Sequence, residues 1–130
     1  MTLAMVAAQQ SQDPYVQVGA AVLRRNNTVA GLGFNGPPPG VEIDWTDRDR
    51  RRPLIVHAEQ NALRHSAPEE LAGGILVSTH RPCAACTSVI ASYGIRTVFY
   101  LFENDPKTYD SAELDRIAET FSMEIRHIGG

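Results

Sequence analysis

The sequence predicts a three-layer α/β fold: a five-stranded mixed sheet with helices on both faces. Three observations carry this. Five short runs rich in β-branched, aromatic or other apolar residues recur along the chain, at 16–23, 28–34, 75–79, 96–102 and 123–128. Stretches with helical apolar spacing separate the last four of them. Only a turn divides the first two, so that pair reads as a hairpin, whereas strands joined by helices read as parallel. A length of 130 residues suits a single domain, 1–130, with a real core.

The elements follow in order. Residues 2–11 read as a short helix of small apolar residues, ended by Asp13-Pro14. "VQVGAAVL" (16–23) alternates, with Val16, Val18, Ala20 and Val22 on one face. Arg25-Asn26-Asn27 is a turn, and "TVAGLGF" (28–34) is the partner strand. "NGPPPG" excludes helix and central strand, and opens a loop that runs to about residue 53. Four acids and four arginines (Arg48, Arg50, Arg51, Arg52) make that loop locally neutral, and they read first as a solvated or subunit-contact surface. A helix over 57–66 stops before Pro68. Gly73-Gly74 leads into the buried strand "ILVST" (75–79). "RPCAAC" opens the next helix, with Pro82 at its first position and Gly94 as terminator. Its apolar stripe is Cys86, Val89, Ile90 and Tyr93. "RTVFYLF" (96–102) is strongly strand-like. Asp110 with Glu113 reads as an N-cap and its partner, before a helix face of Leu114, Ile117, Ala118 and Phe121. "MEIRHI" (123–128) is the last strand.

Ligands of such sheets sit at the carboxyl ends of strands, where helices begin. Two helix starts carry chemistry here. Cys83 and Cys86, three apart, share one helix face close enough to hold one metal. The positive end of the helix dipole favours their thiolates. Thiolates and imidazole suit Zn²⁺, and His57 at the other helix start supplies the imidazole. Three protein ligands leave a position open, which marks a catalytic rather than a structural zinc. Glu59 stands about 200° round an ideal helix from His57. If His57 lies outside helical geometry, Glu59 can approach a metal-activated water without being a ligand, and move protons there. A structural zinc closed by His80 as fourth ligand is the sharpest rival, although it leaves Glu59 without a role. His65 and His127 read as surface or packing residues.

Composition narrows the classes. A net charge of -3 argues against bulk nucleic acid as partner but permits a small anion held by local cations. No run approaches a membrane span. "MTLAMVAAQQSQDP" lacks the basic start of a signal peptide, so the cytoplasm is the expected compartment. Its reducing environment suits a cysteine pair used for metal rather than for a disulfide.

H-x-E followed by P-C-x-x-C is the signature of zinc deaminases. The chain resembles the cytidine and deoxycytidylate deaminase superfamily over nearly its whole length. "HAEQNAL" is similar to that superfamily's first zinc motif, and "PCAACTSVIASYGIRTVFY" to its second. "GFNGPPPG" resembles the Asn-Gly-Pro loop of the deoxycytidylate branch, and "KTYDSAE" a Tyr-Asp-Ser segment of its members. The resemblance implies a cytidine deaminase-like fold in which His57, Cys83 and Cys86 bind one catalytic Zn²⁺ and Glu59 shuttles protons. It implies that Asn35 bonds the sugar, Val18 packs on the base and the Ala58 backbone donates to the pyrimidine carbonyl. The activity it implies is hydrolysis of dCMP to dUMP and ammonia, by attack at C4 of the cytosine ring. Deamination of another base, nucleoside or nucleotide on the same scaffold (cytosine, guanine or CMP) is the alternative. Val41-Glu42 stands where many relatives carry a cysteine tied to a second zinc, so a single ion is expected. Arg81, before Pro82, reads equally as a phosphate contact or a bystander. Relatives of this kind are commonly oligomers, so a homo-oligomer of at least two chains is expected.

Overall fold

The computed structural model describes residues 1–103 and 111–129. Its strands are β1 (Gly19–Leu23), β2 (Val29–Phe34), β3 (Ile75–His80), β4 (Thr97–Phe102) and β5 (Glu124–His127), side by side in the order β2-β1-β3-β4-β5. β1 is antiparallel to both β2 and β3, whereas β3, β4 and β5 run parallel. The mixed five-stranded sheet and the leading hairpin are therefore as predicted. Because β1 is reversed, β2 and β3 point the same way on either side of it. Their carboxyl ends and the start of β1 share one edge of the sheet.

The helices are α1 (Thr2–Ala8), α2 (Arg48–Arg51), α3 (Ala58–Leu63), α4 (Pro68–Leu71), α5 (Ala84–Ser92) and α6 (Ser111–Thr120). α1 covers one face of the sheet, α3 and α5 the other, and α6 packs beside α5. On the α3 side, Ala20, Val22, Leu63, Leu76, Ile90 and Val98 form the core, each at most 1% exposed. Burying a Leu or Ile so fully contributes roughly 1.5–3 kcal/mol. No helix among the described residues is long and apolar enough to cross a membrane.

Several boundaries differ from the sequence reading. β1 starts at Gly19, so Val16 and Val18 precede the strand. The predicted alternation does not hold either. Gly19, Ala20, Ala21 and Val22 are all buried, because helices cover both faces of this strand. The loop to residue 53 is not unbroken. Asp47 accepts a hydrogen bond from Arg50 N at 3.2 Å and caps α2, and a 3-10 turn follows at Arg52–Leu54. Pro68, expected as a stop for the preceding helix, also starts the one-turn α4, because proline suits a first helical position as well as the position after a helix end. Pro82 lies outside its helix, one residue before Cys83, the N-cap of α5. Gly94, at φ +81°, ends α5 in the left-handed conformation that glycine adopts without strain. The N-cap role of Asp110 and most of "KTYDSAE" lie outside the described residues.

Glycines set the helix-to-sheet distances that matter most. A Cβ on Gly19 would collide with Ala4 O of α1. A Cβ on Gly33 would collide with Ala62 N and Ala58 O of α3. Since the clashing atoms are backbone, α3 itself would have to move. Gly33→Ala is expected to cost about 1–3 kcal/mol, read as a lower Tm, and to lower turnover by shifting the start of α3. A melt and a rate both equal to the parent protein would contradict the close approach.

Candidate active site

The site assembles at the shared edge of the sheet. β2 ends at Phe34, and the chain returns to the same edge twenty residues later. There Gly36 and Val56 exchange backbone hydrogen bonds, Gly36 N to Val56 O at 3.1 Å and Val56 N to Gly36 O at 2.8 Å. This bridge delivers His57 beside the end of β2. Asn61 adds a clamp, donating from Nδ2 to Phe34 O at 2.8 Å. His57 itself is extended (φ -68°, ψ 151°) and acts as N-cap of α3. It lies outside helical geometry, so the 200° argument does not separate it from Glu59. β3 ends at His80, and three residues later Cys83, likewise extended, is the N-cap of α5. Cys83 Sγ accepts from Cys86 N at 3.5 Å.

His57, Cys83 and Cys86 bring one ligand atom each within 4.8 Å of the others, the one such group of histidine, cysteine or acid side chains among the described residues. His57 Nδ1 stands 3.1 Å from Cys86 Sγ and 3.5 Å from Cys83 Sγ. Cys86 is fully buried, Cys83 partly so, and His57 is open. The hydrogen bond from Cys86, opposed by burial and helped by His57, brings the Cys83 thiol down to about 4. Cys86 is pushed up, first by its hydrogen bond to Cys83 and then by burial. His57 is raised, chiefly by its hydrogen bond with Cys83. Two soft sulfurs and one nitrogen, crowded together and already sharing protons, fit a zinc ion with three protein ligands. His80, the candidate fourth ligand, is not in the group. Its Nδ1 meets Thr79 Oγ1 at 2.9 Å, and its ring packs tilted on Phe102.

Glu59 follows His57 in the first turn of α3 and is 4% exposed. Burial raises its carboxyl above the usual range, only partly offset by its own backbone N–H, His57 and Ser78. The Ser78 hydroxyl donates to Glu59 Oε1 at 3.0 Å. A buried carboxyl with raised affinity for protons, next to a metal site, can take a proton and give it back.

A cavity of about 310 Å³ opens onto these groups and is also lined by Val18, Asn35 and Ala58. All the residues proposed from the sequence therefore line it or adjoin it. Asn35 is more occupied than expected. Its Oδ1 accepts from Val18 N at 2.8 Å, and its Nδ2 donates to Val16 O at 3.0 Å and Asp13 Oδ2 at 3.4 Å. One Oδ1 lone pair remains for a ligand.

Sequence reasoning missed Gln60 and ranked the loop arginines as surface first, while Arg81 stood equally as a phosphate contact or a bystander. Gln60 donates from Nε2 to Cys86 Sγ at 3.6 Å, supporting a ligand sulfur from the facing helix. Three arginines of the loop, Arg48, Arg51 and Arg52, line the cavity, and so does Arg81. The loop is thus a wall of the site rather than only a solvated surface. Arg51 stacks over Tyr15 at 4.2 Å and donates to Trp45 O at 3.0 Å, and the Tyr15 hydroxyl donates to the same carbonyl at 3.0 Å. Arg81 Nη1 pairs with Glu103 at 3.7 Å. His127 lies away from these groups: its Nε2 is 2.7 Å from Leu101 O and its ring stacks on Tyr100.

A sheet edge bearing His-x-Glu at one helix start and Cys-x-x-Cys at the next defines the class of zinc-dependent hydrolytic deaminases. Comparison with known proteins narrows this. The chain belongs to the cytidine and deoxycytidylate deaminase family: the family model for its zinc-binding region matches residues 1–102. It is similar to human deoxycytidylate deaminase, 31% identical over 131 residues, covering 95% of this chain and 72% of that one. The deoxycytidylate deaminase of Mycobacterium phage D29 is 36% identical over 113 residues, 75% of this chain and 88% of that one. Among solved structures, the dCMP deaminase of cyanophage S-TIM5 in complex with dCMP and dUMP superposes with a TM-score of 0.79 at 26% identity, covering 98% of this chain and 92% of that one.

Proposed function

We propose that this chain is a single-domain, zinc-dependent hydrolase that converts dCMP to dUMP and ammonia. The observation that carries the substrate class is the union, in one cavity, of His57 and Cys83 (with Cys86 behind them) and Glu59 with Arg48, Arg51 and Arg52. A free base offers those cations nothing, whereas a 5′-phosphate offers a dianion. Arg51 is committed to Tyr15 and Trp45, so Arg48 and Arg52 are the phosphate candidates. The relatives named deoxycytidylate deaminase support the same reading.

His57, Cys83 and Cys86 would hold the ion. When bound, zinc supplies the Lewis acidity that makes water nucleophilic near neutral pH. Glu59 takes the proton from the attacking water and delivers it to the amino nitrogen leaving C4. The first-turn N–H of Ala58 has no carbonyl behind it in the helix, and it donates to the pyrimidine carbonyl. Val18 packs on the base. Asn35 holds Val18 in place and offers its last lone pair to a sugar hydroxyl.

Ammonia release from dCMP, CMP, deoxycytidine, cytosine and guanine tests the reading. Release with a free base and none with dCMP would overturn it. The double variant Arg48→Ala/Arg52→Ala is expected to raise KM for dCMP at least about tenfold, the size of a lost charge-assisted hydrogen bond, with kcat nearly unchanged. Its effect on deoxycytidine should be slight. An equal KM for dCMP in variant and parent would remove these arginines from the phosphate site.

The reading places the enzyme in the cytoplasm, where Cys83 and Cys86 stay reduced. It also takes the working form as a homo-oligomer. Exposed Leu3, Met5 and Val6 on α1 and Leu32 and Phe34 on β2 offer apolar surface to a second copy.

A further inference from the structure

β3 is a central strand covered on both faces, and such strands ordinarily read as unbroken apolar runs. "ILVSTH" breaks the run with two buried hydroxyls, Ser78 at 0% and Thr79 at 3% exposure. A buried hydroxyl is costly unless it is hydrogen-bonded. Thr79 has a backbone reason: its Oγ1 accepts from Gly19 N at 3.1 Å, tying β1 to β3 where the strand ladder begins. Ser78 has only a local one: its oxygen receives the N–H of His80, two residues on in the same strand, and that bond joins no second element. Ser78 pairs with Ala20 on β1 and faces the α3 side, in the layer where Leu76 packs as core. Its hydroxyl proton goes to Glu59 Oε1 at 3.0 Å, while its oxygen receives His80 N at 3.4 Å.

We infer that Ser78 is a positioning residue for deamination, holding the Glu59 carboxylate in one orientation from the rigid centre of the sheet. This rests on the proton-shuttle reading of Glu59. A carboxylate on a two-torsion stem can turn either oxygen towards the reacting atoms. With Oε1 tied to β3, Oε2 has no protein side-chain donor among the described residues and is left to carry the proton. Positions that must be held to about 0.5 Å are best supported from strands in this way. The His80 N–H fixes the Ser78 oxygen in turn, so the orientation is inherited from the backbone of β3.

The test compares Ser78→Thr with Ser78→Val, which are close to isosteric and differ by the hydroxyl. Both are measured as zinc-loaded enzyme on the substrate that the ammonia panel identifies. Ser78→Val is expected to lower kcat about tenfold with KM within about twofold, because the group lost acts only in the chemical step. Ser78→Thr is expected to keep kcat within about threefold of the parent. Both should hold one zinc per chain. In a Glu59→Gln background, Ser78→Val should add less than about a twofold further loss, since the group it positions is gone. Equal kcat for the Thr and Val variants would overturn the inference. So would a Val defect that persists unchanged in the Glu59→Gln background, or one carried by KM or by zinc loss. Should Thr and Val both lower the melting temperature, their ratio of kcat values at a temperature where both are folded still decides. A fully active Glu59→Gln would instead refute the shuttle reading itself, a result distinct from the failure of Ser78.

Discussion

Glu59→Gln is expected to abolish deamination almost completely while leaving the metal in place. General acid–base catalysis contributes about 10²–10⁴ in rate, and Glu59 is asked to do both halves of it. The amide keeps the shape of the carboxyl and can still accept at Oε1 from Ser78, so packing at the start of α3 is preserved. It cannot take a proton near neutral pH. The side chain is 4% exposed, and Asp13, the other carboxylate lining the cavity, is engaged with the backbone N–H groups of Tyr15 and Val16 and with Asn35 Nδ2. The measurement is kcat together with zinc content. A variant holding one zinc per chain and less than about 1% of parental turnover is the expected result. A variant that loses its zinc would show that Glu59 is a ligand, and one that keeps its turnover would show that the proton passes elsewhere.

Cys86→Ser is expected to remove the metal and, with it, all turnover. Cys86 is the fully buried member of the group, 3.1 Å from His57 Nδ1 and supported by Gln60. A serine hydroxyl is a far poorer zinc ligand than a thiolate, because it does not ionise in the pH range where a coordinated thiol does. Two remaining ligands would not hold the ion against dialysis. The outcome is read as zinc per chain after chelation and exchange, with a fall in Tm beside it. Retained zinc at one per chain would place the ion elsewhere. The pH dependence of loading has a defined sign. In the metal-free protein Cys86 holds its proton tightly, because it shares it with Cys83 and is buried. Metal binding must release that proton, so loading of stripped protein should strengthen as pH rises. Proton release can be followed directly with an indicator dye in weakly buffered solution.

The chemistry was legible in the sequence because zinc-deaminase function rests on local spacing. His57 and Glu59 two apart, and Cys83 and Cys86 three apart, each pair an extended N-cap with a residue of the first turn behind it, so the local geometry of a helix start brings each pair together. The strands were legible for a related reason: β-branched and aromatic runs bounded by glycine and proline have few other conformations. Boundaries slipped where a residue serves two purposes. Pro68 and Pro82 can each stand before a helix, in its first turn or after its end, and the local sequence does not say which.

What the sequence by itself determined is the set of groups that do chemistry: two thiols, an imidazole and a carboxyl, placed at helix starts. What only the tertiary structure decided is how these meet and what surrounds them. The Gly36–Val56 bridge brings His57 back to the strand end across a twenty-residue excursion, and such a pairing has no local signature. The convergence of Arg48 and Arg52 on the cavity depends on the same return of the chain. The parity of β3 turns Ser78 towards Glu59 and Thr79 towards Gly19, and a one-residue slip would exchange them. Local spacing is set by covalent geometry and is written along the chain. Long-range register is set by packing on both faces of a sheet at once, where Gly33 lets α3 approach and Gly19 lets α1 approach, and it exists only when the whole core has formed.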